Sequence, residues 1–409
     1  MTDPGGGRAT KASVTVDFDH HSPNQAQDPY PAYEALRSKC PVAWTEHHGG
    51  YWVLSDYASV YAAARDDDTF RSGPSSSIPV LPTPRPLIPM ETDSPDTQKW
   101  RKILHQEFSP SAAAALEPFI YEVGHRLIDE FIERGECDYI RDFATPLPGQ
   151  VILKLLGFDP DRWPEYVGWV HDIVHGMETD PESAFKAAIS LFGEIVGGID
   201  VRREEGLRDD VLSKLIDSTF DDRPLTDDEI VDYTTLLIFG GLDTTTASLG
   251  NAMVRMHQCP HLREQLIANP ELIPNAVEEF LRFDSPLQSV GRNIARDVEV
   301  HGQCLKSGDR ALLVWASANR DPNQFDHPDV IDFERAENRH LSFIVGLHRC
   351  LGSHLGRAMF RIMLELLISR TPDFELTDDP DQHRFADAGN VYALTSLPVR
   401  FTPGSRRST

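Results

Sequence analysis

A single stretch limits the architecture more than any other. Thr226-Asp-Asp-Glu229 is a capping box, in which the threonine and glutamate side chains each satisfy an unpaired backbone N–H at a helix start. An apolar pattern at helical spacing then continues to about Met256. At ~1.5 Å per residue this helix reaches roughly 45 Å, the width of the whole molecule. Such a length implies a large, mainly helical body around it. Its middle nevertheless reads Gly240-Gly241-Leu242-Asp243-Thr244-Thr245-Thr246. Each glycine costs about 1 kcal/mol against alanine. Threonine hydroxyls can bond back to the preceding turn, and a buried acid is unfavourable unless partnered. A helix–helix crossing explains the small residues but leaves Asp243 unexplained. Local conflicts of this kind mark functional sites.

A second stretch, Phe343-Ile-Val-Gly-Leu-His-Arg-Cys-Leu-Gly352, precedes an amphipathic run through Leu355, Met359, Ile362, Met363, Leu366 and Leu367. Cys350 therefore sits at or just before a helix start, where unpaired N–H groups favour an anion and lower a thiol pKa. Gly346 and Gly352 allow a tight turn and close approach to a flat ligand. Phe343 offers an aromatic wall, and His348 and Arg349 offer donors. A lone cysteine is more often a small buried hydrophobe. A zinc site from His348, Cys350 and His354 lacks a fourth ligand in sight, and a Cys350–His348 thiol enzyme leaves the glycine-rich helix unexplained.

Between them, Glu279 and Arg282 share one helix face at i, i+3, a spacing that by default makes a surface ion pair. Upstream, helices are expected at 28–37 and 57–65, with strands at 42–46 and 51–55 around His-His-Gly-Gly. Residues 72–89 hold six prolines and the aliphatics Ile78, Val80, Leu81, Leu87 and Ile88, oily for an exposed loop. Helical patterns then run over about 113–134, 149–157, 162–178, 184–204 and 208–218, and short strands return near 373–376 and 392–401. The expected class is mainly α (α+β): a large helical body with a smaller β-rich edge. No repeat or linker divides the chain, so one domain is expected over 28–402, with tails at 1–27, disordered, and 403–409.

The 64 acids against 39 bases, net −25, argue against nucleic acid and anionic membrane as partners. Five scattered cysteines fit a reducing compartment. No apolar run spans a bilayer and no signal-peptide core is visible, so a cytoplasmic monomer is expected.

Phe343, Gly346, His348, Cys350 and Gly352 together resemble the haem-ligand loop of the cytochromes P-450. The Gly240–Thr244 segment resembles that family's oxygen-binding groove. Ala318-Asn-Arg-Asp-Pro322 and Asp332-Phe-Glu-Arg335 resemble its meander. The resemblance runs from about residue 28 to 402. It implies haem b with Cys350 as thiolate ligand, and Arg101, Arg292 and His348 on the propionates. It implies that Gly240 and Gly241 make room for O2, and that Asp243 and Thr244 relay protons. Glu279, Arg282 and Arg335 would form a buried ionic triad. Leu236, Phe239, Leu287, Val290, Val391 and Tyr392 fall where the family contacts substrate, and 72–89 where it roofs the pocket. For Leu287, Val290, Val391 and Tyr392, core packing is an equal reading. Two departures are Thr97, where a histidine is common, and Ile344, where a small residue is common.

The implied activity is monooxygenation of a small to medium hydrophobic molecule: a terpenoid, fatty acid or steroid. Without flavin, nicotinamide or iron–sulfur fingerprints, electrons are expected from a separate ferredoxin and its reductase. Lys102, Arg101, Arg339, Arg349 and Arg357 would lie near the docking face. Arg85 could anchor a substrate carboxylate, or simply face solvent. A peroxide-using enzyme and a non-catalytic haem sensor are the alternatives.

Overall fold

The computed structural model describes residues 14–80, 85–176, 180–385 and 391–407. Helices α1 Pro23–Gln27 and α2 Tyr30–Lys39 lead into strands β1 Val42–Thr45 and β2 Tyr51–Leu54, then α3 Tyr57–Ala63 and β3 Phe70–Arg71. Next come α4 Asp96–Ile103, α5 Pro110–Phe131, β4 Glu136–Asp138, α6 Pro146–Leu156, α7 Trp163–Val174, α8 Pro181–Glu205 and α9 Val211–Ile216. A small hairpin, β5 Thr219–Phe220 and β6 Arg223–Pro224, precedes the long α10, Asp227–Gln258. Helices α11 Pro260–Ala268 and α12 Ile273–Phe283 follow. Strands β7 Val290–Ile294, β8 Val298–Val300, β9 Gln303–Leu305 and β10 Arg310–Leu313 come next, then α13 Trp315–Ala318, α14 Ser353–Arg370, β11 Glu375–Leu376 and β12 Pro398–Arg400.

Helix starts follow local chemistry. Side chains of Asp56, Ser109, Asp180 and Asp210 accept from backbone N–H groups at the starts of α3, α5, α8 and α9. Both halves of the Thr226–Glu229 capping box are present on α10, at 3.3 and 2.8 Å. That helix is unbroken through Gly240-Gly241 and at 32 residues is about 48 Å long. Helices α5, α6, α8, α12 and α14 surround it and share its hydrophobic core.

The β-rich edge is a five-stranded mixed sheet in the order β1-β2-β10-β7-β3. Strand β10 runs parallel to β2, with Leu312 opposite Val53, and antiparallel to β7. Alternate residues feed two small cores. Trp52, Leu54, Ala311 and Leu313 point to one, and Tyr51, Val53 and Leu312 to the other. Burial on both faces accounts for the uninterrupted apolar run of β2.

One expectation about the termini is corrected. Residues 14–27 are not a disordered tail: Val16 N–H donates to Trp44 O and Trp44 N–H to Val14 O, while Phe18 and His20 are buried. The backbone of β1 offers an open edge there, and pairing satisfies it. Residues 1–13 lie outside the described residues. At the other end, Gly404 N–H donates to Ile132 O and Arg407 N–H to Asp129. Among the described residues no helix is long and apolar enough to cross a membrane.

Candidate active site

Cys350 stands three residues before α14, in a loop held by its own backbone. Cys350 N–H donates to Phe343 O at 2.8 Å, and Ile344 N–H to Leu341 O at 2.8 Å. Gly346 has φ +75°, and a Cβ there would meet Ala64 O at 2.4 Å, so the position accepts only glycine. Ile344 takes φ +57° in the same loop, an unfavourable conformation for a β-branched residue. The Arg357 guanidinium lies 4.3 Å from the Phe343 ring centre.

The sulfur environment combines two properties. Cys350 keeps accessible area, yet burial pushes its thiol up, against the Gly352 N–H and the guanidiniums of Arg101, Arg357 and Arg349, which pull it down. Both hold for a side chain facing an internal hollow. Such a thiol becomes a thiolate once a cation binds it, and the surrounding donors favour that state.

Three basic groups gather near this loop. Arg101 Nη2 donates to Arg349 O at 2.5 Å. His348 Nε2 lies 3.0 Å from Ser72 Oγ, and burial, with Arg292 and Arg101, pushes its imidazole down to about 3. Arg292 on β7 is 3% exposed and donates to the adjacent Gly291 carbonyl, and burial, opposed by Asp93, lowers its guanidinium to about 10. Among the described residues no carboxylate lies within 4.0 Å of any of the three. The guanidiniums of buried Arg292 and half-buried Arg101 need an anion and the neutral imidazole can donate an N–H, so a ligand with two carboxylates fits this cluster. The zinc alternative does not assemble: His348 is engaged by Ser72, and His348, Cys350 and His354 do not form a converging ligand group.

Behind the loop, Glu279 accepts from Arg282 at 2.7 and 2.8 Å and from Arg335 at 3.1 and 3.2 Å, with Arg282 wholly buried. Asp332 N–H and Asn338 Nδ2 complete its shell. Sequence reading passed over a neutral network beside it. Asn319 Nδ2 donates to Ser285 and Ser342 hydroxyls, and Leu341 N–H donates to Asn319 Oδ1. The network joins the end of α12 to the start of the cysteine loop.

On α10, Leu236, Gly240, Asp243 and Thr244 lie on one face that stays partly exposed in the middle of the helix. A Cβ on Gly240 would meet nothing within 4 Å. Gly241 differs: a Cβ there would sit 3.0 Å from Ile152 Cδ1 and Cγ1 on α6. The expectation that both glycines clear space is therefore corrected to Gly240 alone, since Gly241 serves helix packing. Thr244 Oγ1 donates back to Gly240 O at 3.1 Å.

Asp243 has the partners that its burial requires. His171 near the end of α7 and His175 at its C-cap place Nε2 atoms 3.1 and 3.3 Å from its two oxygens. Burial alone would raise the carboxyl, but the two imidazoles hold it well below the usual carboxylate range. Phe385 stacks on His175 at 3.9 Å. The i, i+4 histidines on an amphipathic helix were the sequence signal for this clamp.

The substrate-contact expectations divide. Leu236 and Phe239 are partly buried, Phe239 against the main core. Leu287 pairs with Val391 in an isolated bridge, and Val290 lies in the sheet core. Tyr392 follows the core-packing alternative: it is 2% exposed, under the Arg384 guanidinium at 3.9 Å, and its hydroxyl donates to Gln27 O. Ile78, read as part of the roof, also turns into a core. Leu81 lies outside the described residues. The roof segment is stapled by acids not singled out in sequence. Glu91 accepts from Ser76 and Leu87 N–H groups, and Asp93 from Ser72 and Gly73. Arg85 bonds Asp232 and Asp228 of α10, which already supply its carboxylates. Thr97 is buried, with its hydroxyl 2.9 Å from Thr92 Oγ1.

The family model for cytochrome P-450 matches residues 169–401. The steroid C26-monooxygenase of Mycobacterium tuberculosis is 32% identical over 91% of this chain and 93% of its own length. The vitamin D(3) 25-hydroxylase of Pseudonocardia autotrophica is 32% identical over 93% and 95%. Among solved structures, CYP109E1 of Bacillus megaterium in complex with testosterone superposes with TM-score 0.84 at 28% identity, covering 93% of this chain and all of that one. The chain belongs to the cytochrome P-450 family and is a bacterial-type monooxygenase of it, a class that uses O2 at a haem carrying a cysteine thiolate ligand.

Proposed function

We propose that this enzyme hydroxylates a hydrophobic substrate of the steroid or a related terpenoid or fatty-acid class, using haem b and electrons from a separate ferredoxin and its reductase. The observation that carries the reading is the gathering of Arg101, Arg292 and His348 beside the Cys350 loop, none of them with a carboxylate within 4.0 Å among the described residues. In this reading Cys350 holds the iron, Arg101, Arg292 and His348 hold the propionates, and Phe343, Gly346 and Gly352 shape the loop. When bound, the haem supplies oxygen activation and C–H hydroxylation, which the protein side chains cannot perform.

The chain's own residues position and supply protons. Asp243, kept ionised between two imidazoles, takes protons from the His171 and His175 side and passes them to the Thr244 hydroxyl. Gly240 keeps the adjacent space open. The roof segment, stapled through Glu91 and Arg85, excludes water from the substrate side. The activities of the steroid and vitamin D(3) relatives, and the testosterone complex, support the substrate class.

Carbon monoxide added to the reduced, reconstituted protein should give the red-shifted absorption of a thiolate-ligated haem, lost in Cys350→Ala; no Soret band at all would reject the reading. Spin-state shifts across sterols, fatty acids and terpenoids then assign the substrate. Product formation that falls in Thr244→Ala distinguishes the enzyme from a sensor. For the ferredoxin, Lys102 and Arg349 form no ion pair with a carboxylate among the described residues, whereas Arg339 and Arg357 pair with Glu337 and Glu278. Neutralising Lys102 with Arg349 should slow reduction at low salt without lowering haem content, and unchanged rates would reject that face.

A further inference from the structure

Far along the chain from these residues, three imidazoles converge where the N-terminal segment, the β1–β2 turn and the roof segment meet. His20, His21 and His48 each place a ring nitrogen within 4.8 Å of the other two, and no other three His, Cys, Asp or Glu side chains do so among the described residues. Their ring centres are 4.2, 5.1 and 5.7 Å apart. His20 is buried, His21 half-buried and His48 accessible, so the group opens from the interior toward the surface.

The hydrogen-bond partners leave a specific arrangement. His20 Nδ1 lies 2.8 Å from the Tyr51 hydroxyl, which itself donates to Phe18 O at 3.3 Å. A hydroxyl donates once, so in one tautomer Tyr51 accepts from His20 Nδ1–H and His20 Nε2 carries a lone pair. That nitrogen is 2.8 Å from Ile78 O, and His21 Nε2 is 2.7 Å from the same oxygen. In that tautomer the lone pairs repel unless a cation lies among them, and ligand atoms around a tetrahedral dication at ~2.1 Å are spaced by about 3.4 Å. The other tautomer, with His20 Nε2–H donating to Ile78 O and Tyr51 donating to His20 instead of Phe18, is the metal-free rival. It does not account for His48. This residue takes φ +50°, ψ +35° immediately before Gly49 and Gly50, in a turn where glycine would be unstrained. Asp19 Oδ1, 2.8 Å from His48 Nε2, places a carboxylate beside the group.

We propose that His20, His21 and His48 bind a zinc-class dication that ties the N-terminal segment to the β1–β2 turn and to the Ile78 end of the roof segment. Three imidazoles without a thiolate suit Zn2+, with the Ile78 carbonyl or water as a further donor. The role is structural, and it does not depend on the haem or on the substrate.

The test uses untagged holoprotein stripped with chelator, then titrated with zinc chloride by calorimetry beside His21→Ala/His48→Ala, which leaves buried His20 in place. One site per chain is expected, weakened about 100-fold or more in the variant, since even outer-shell changes cost 10–100-fold. Zinc should also slow hydrogen exchange in residues 14–22 and 76–80 of the natural protein only. Equal binding by both proteins means adventitious zinc on other surface histidines and overturns the proposal, as does no binding by either. If the double variant loses its fold by circular dichroism, His48→Ala alone replaces it, with the same criteria.

Discussion

Glu279 and Asp243 are both acids inside the protein, but they are held in different ways. Glu279 is met by two guanidiniums, which stay charged at any working pH, and its side chain is 1% exposed. Asp243 is met by two imidazoles, and its side chain is 12% exposed. The first arrangement fixes the loop that carries Cys350, together with the Asn319–Ser285–Ser342 network. The second leaves the Asp243 face of α10 responsive to protons. A ligand loop has to keep one geometry, whereas a group that handles protons has to exchange them.

Breaking the fixed side should have the largest effect. Glu279→Ala leaves Arg282 and Arg335 buried without a partner, which should cost about 3–5 kcal/mol. Urea unfolding and haem retention measure it, and a cost below about 1 kcal/mol would mean that the triad does not support the loop. Gly346→Ala is expected next, because φ +75° and the Ala64 carbonyl both oppose a Cβ. A strained backbone position costs about 1–3 kcal/mol. The same change at Gly352, where a Cβ would meet only Cys350 Sγ at 4.0 Å, should cost clearly less.

The fixed side was also the more legible in sequence. The i, i+3 spacing of Glu279 and Arg282 by itself reads as a surface ion pair, so the buried triad with Arg335 came through the family resemblance, and the capping box announced α10. The titratable side was half visible. Asp243 stood out because an acid conflicts with a buried helix, but His171 and His175 lie on another helix, and i, i+4 histidines read as surface. Other misreadings share a physical reason. Ile78 sits in an irregular segment, where no period says which way a side chain turns, and the same lack of period left Tyr392 open between core and pocket. Gly241 was assigned to open space because adjacent glycines look alike in sequence, whereas successive helical residues point about 100° apart. The packed residues 14–27 carry no periodicity, since edge pairing with β1 orders them rather than an amphipathic pattern.

Removing the imidazoles sharpens the comparison from the other side. In the natural protein Asp243 is ionised throughout the working range, because His171 and His175 depress its carboxyl despite burial. With the folded pKa below the unfolded one, the clamp contributes stability above the unfolded value and loses it only as pH falls through the folded value. In His171→Leu/His175→Leu, burial acts alone and the carboxyl moves up. The acid limb of the pH–rate profile should therefore shift to higher pH, while haem content stays unchanged. A profile that keeps its acid limb would show that Asp243 does not carry the protons.

The smallest expected effect separates the two glycines. Alanine in a helix interior is favoured over glycine by about 1 kcal/mol. At Gly240 nothing opposes the added methyl, so Gly240→Ala should match or exceed natural stability while product formation falls, because the methyl enters the open face beside Thr244. At Gly241 the methyl meets Ile152 at 3.0 Å, so the helix gain is offset by crowding against α6 and product formation should hold. Thermal unfolding and turnover measured on both variants decide the matter. If turnover falls equally in both, the open face is not confined to Gly240, and the division between a packing glycine and a functional one fails.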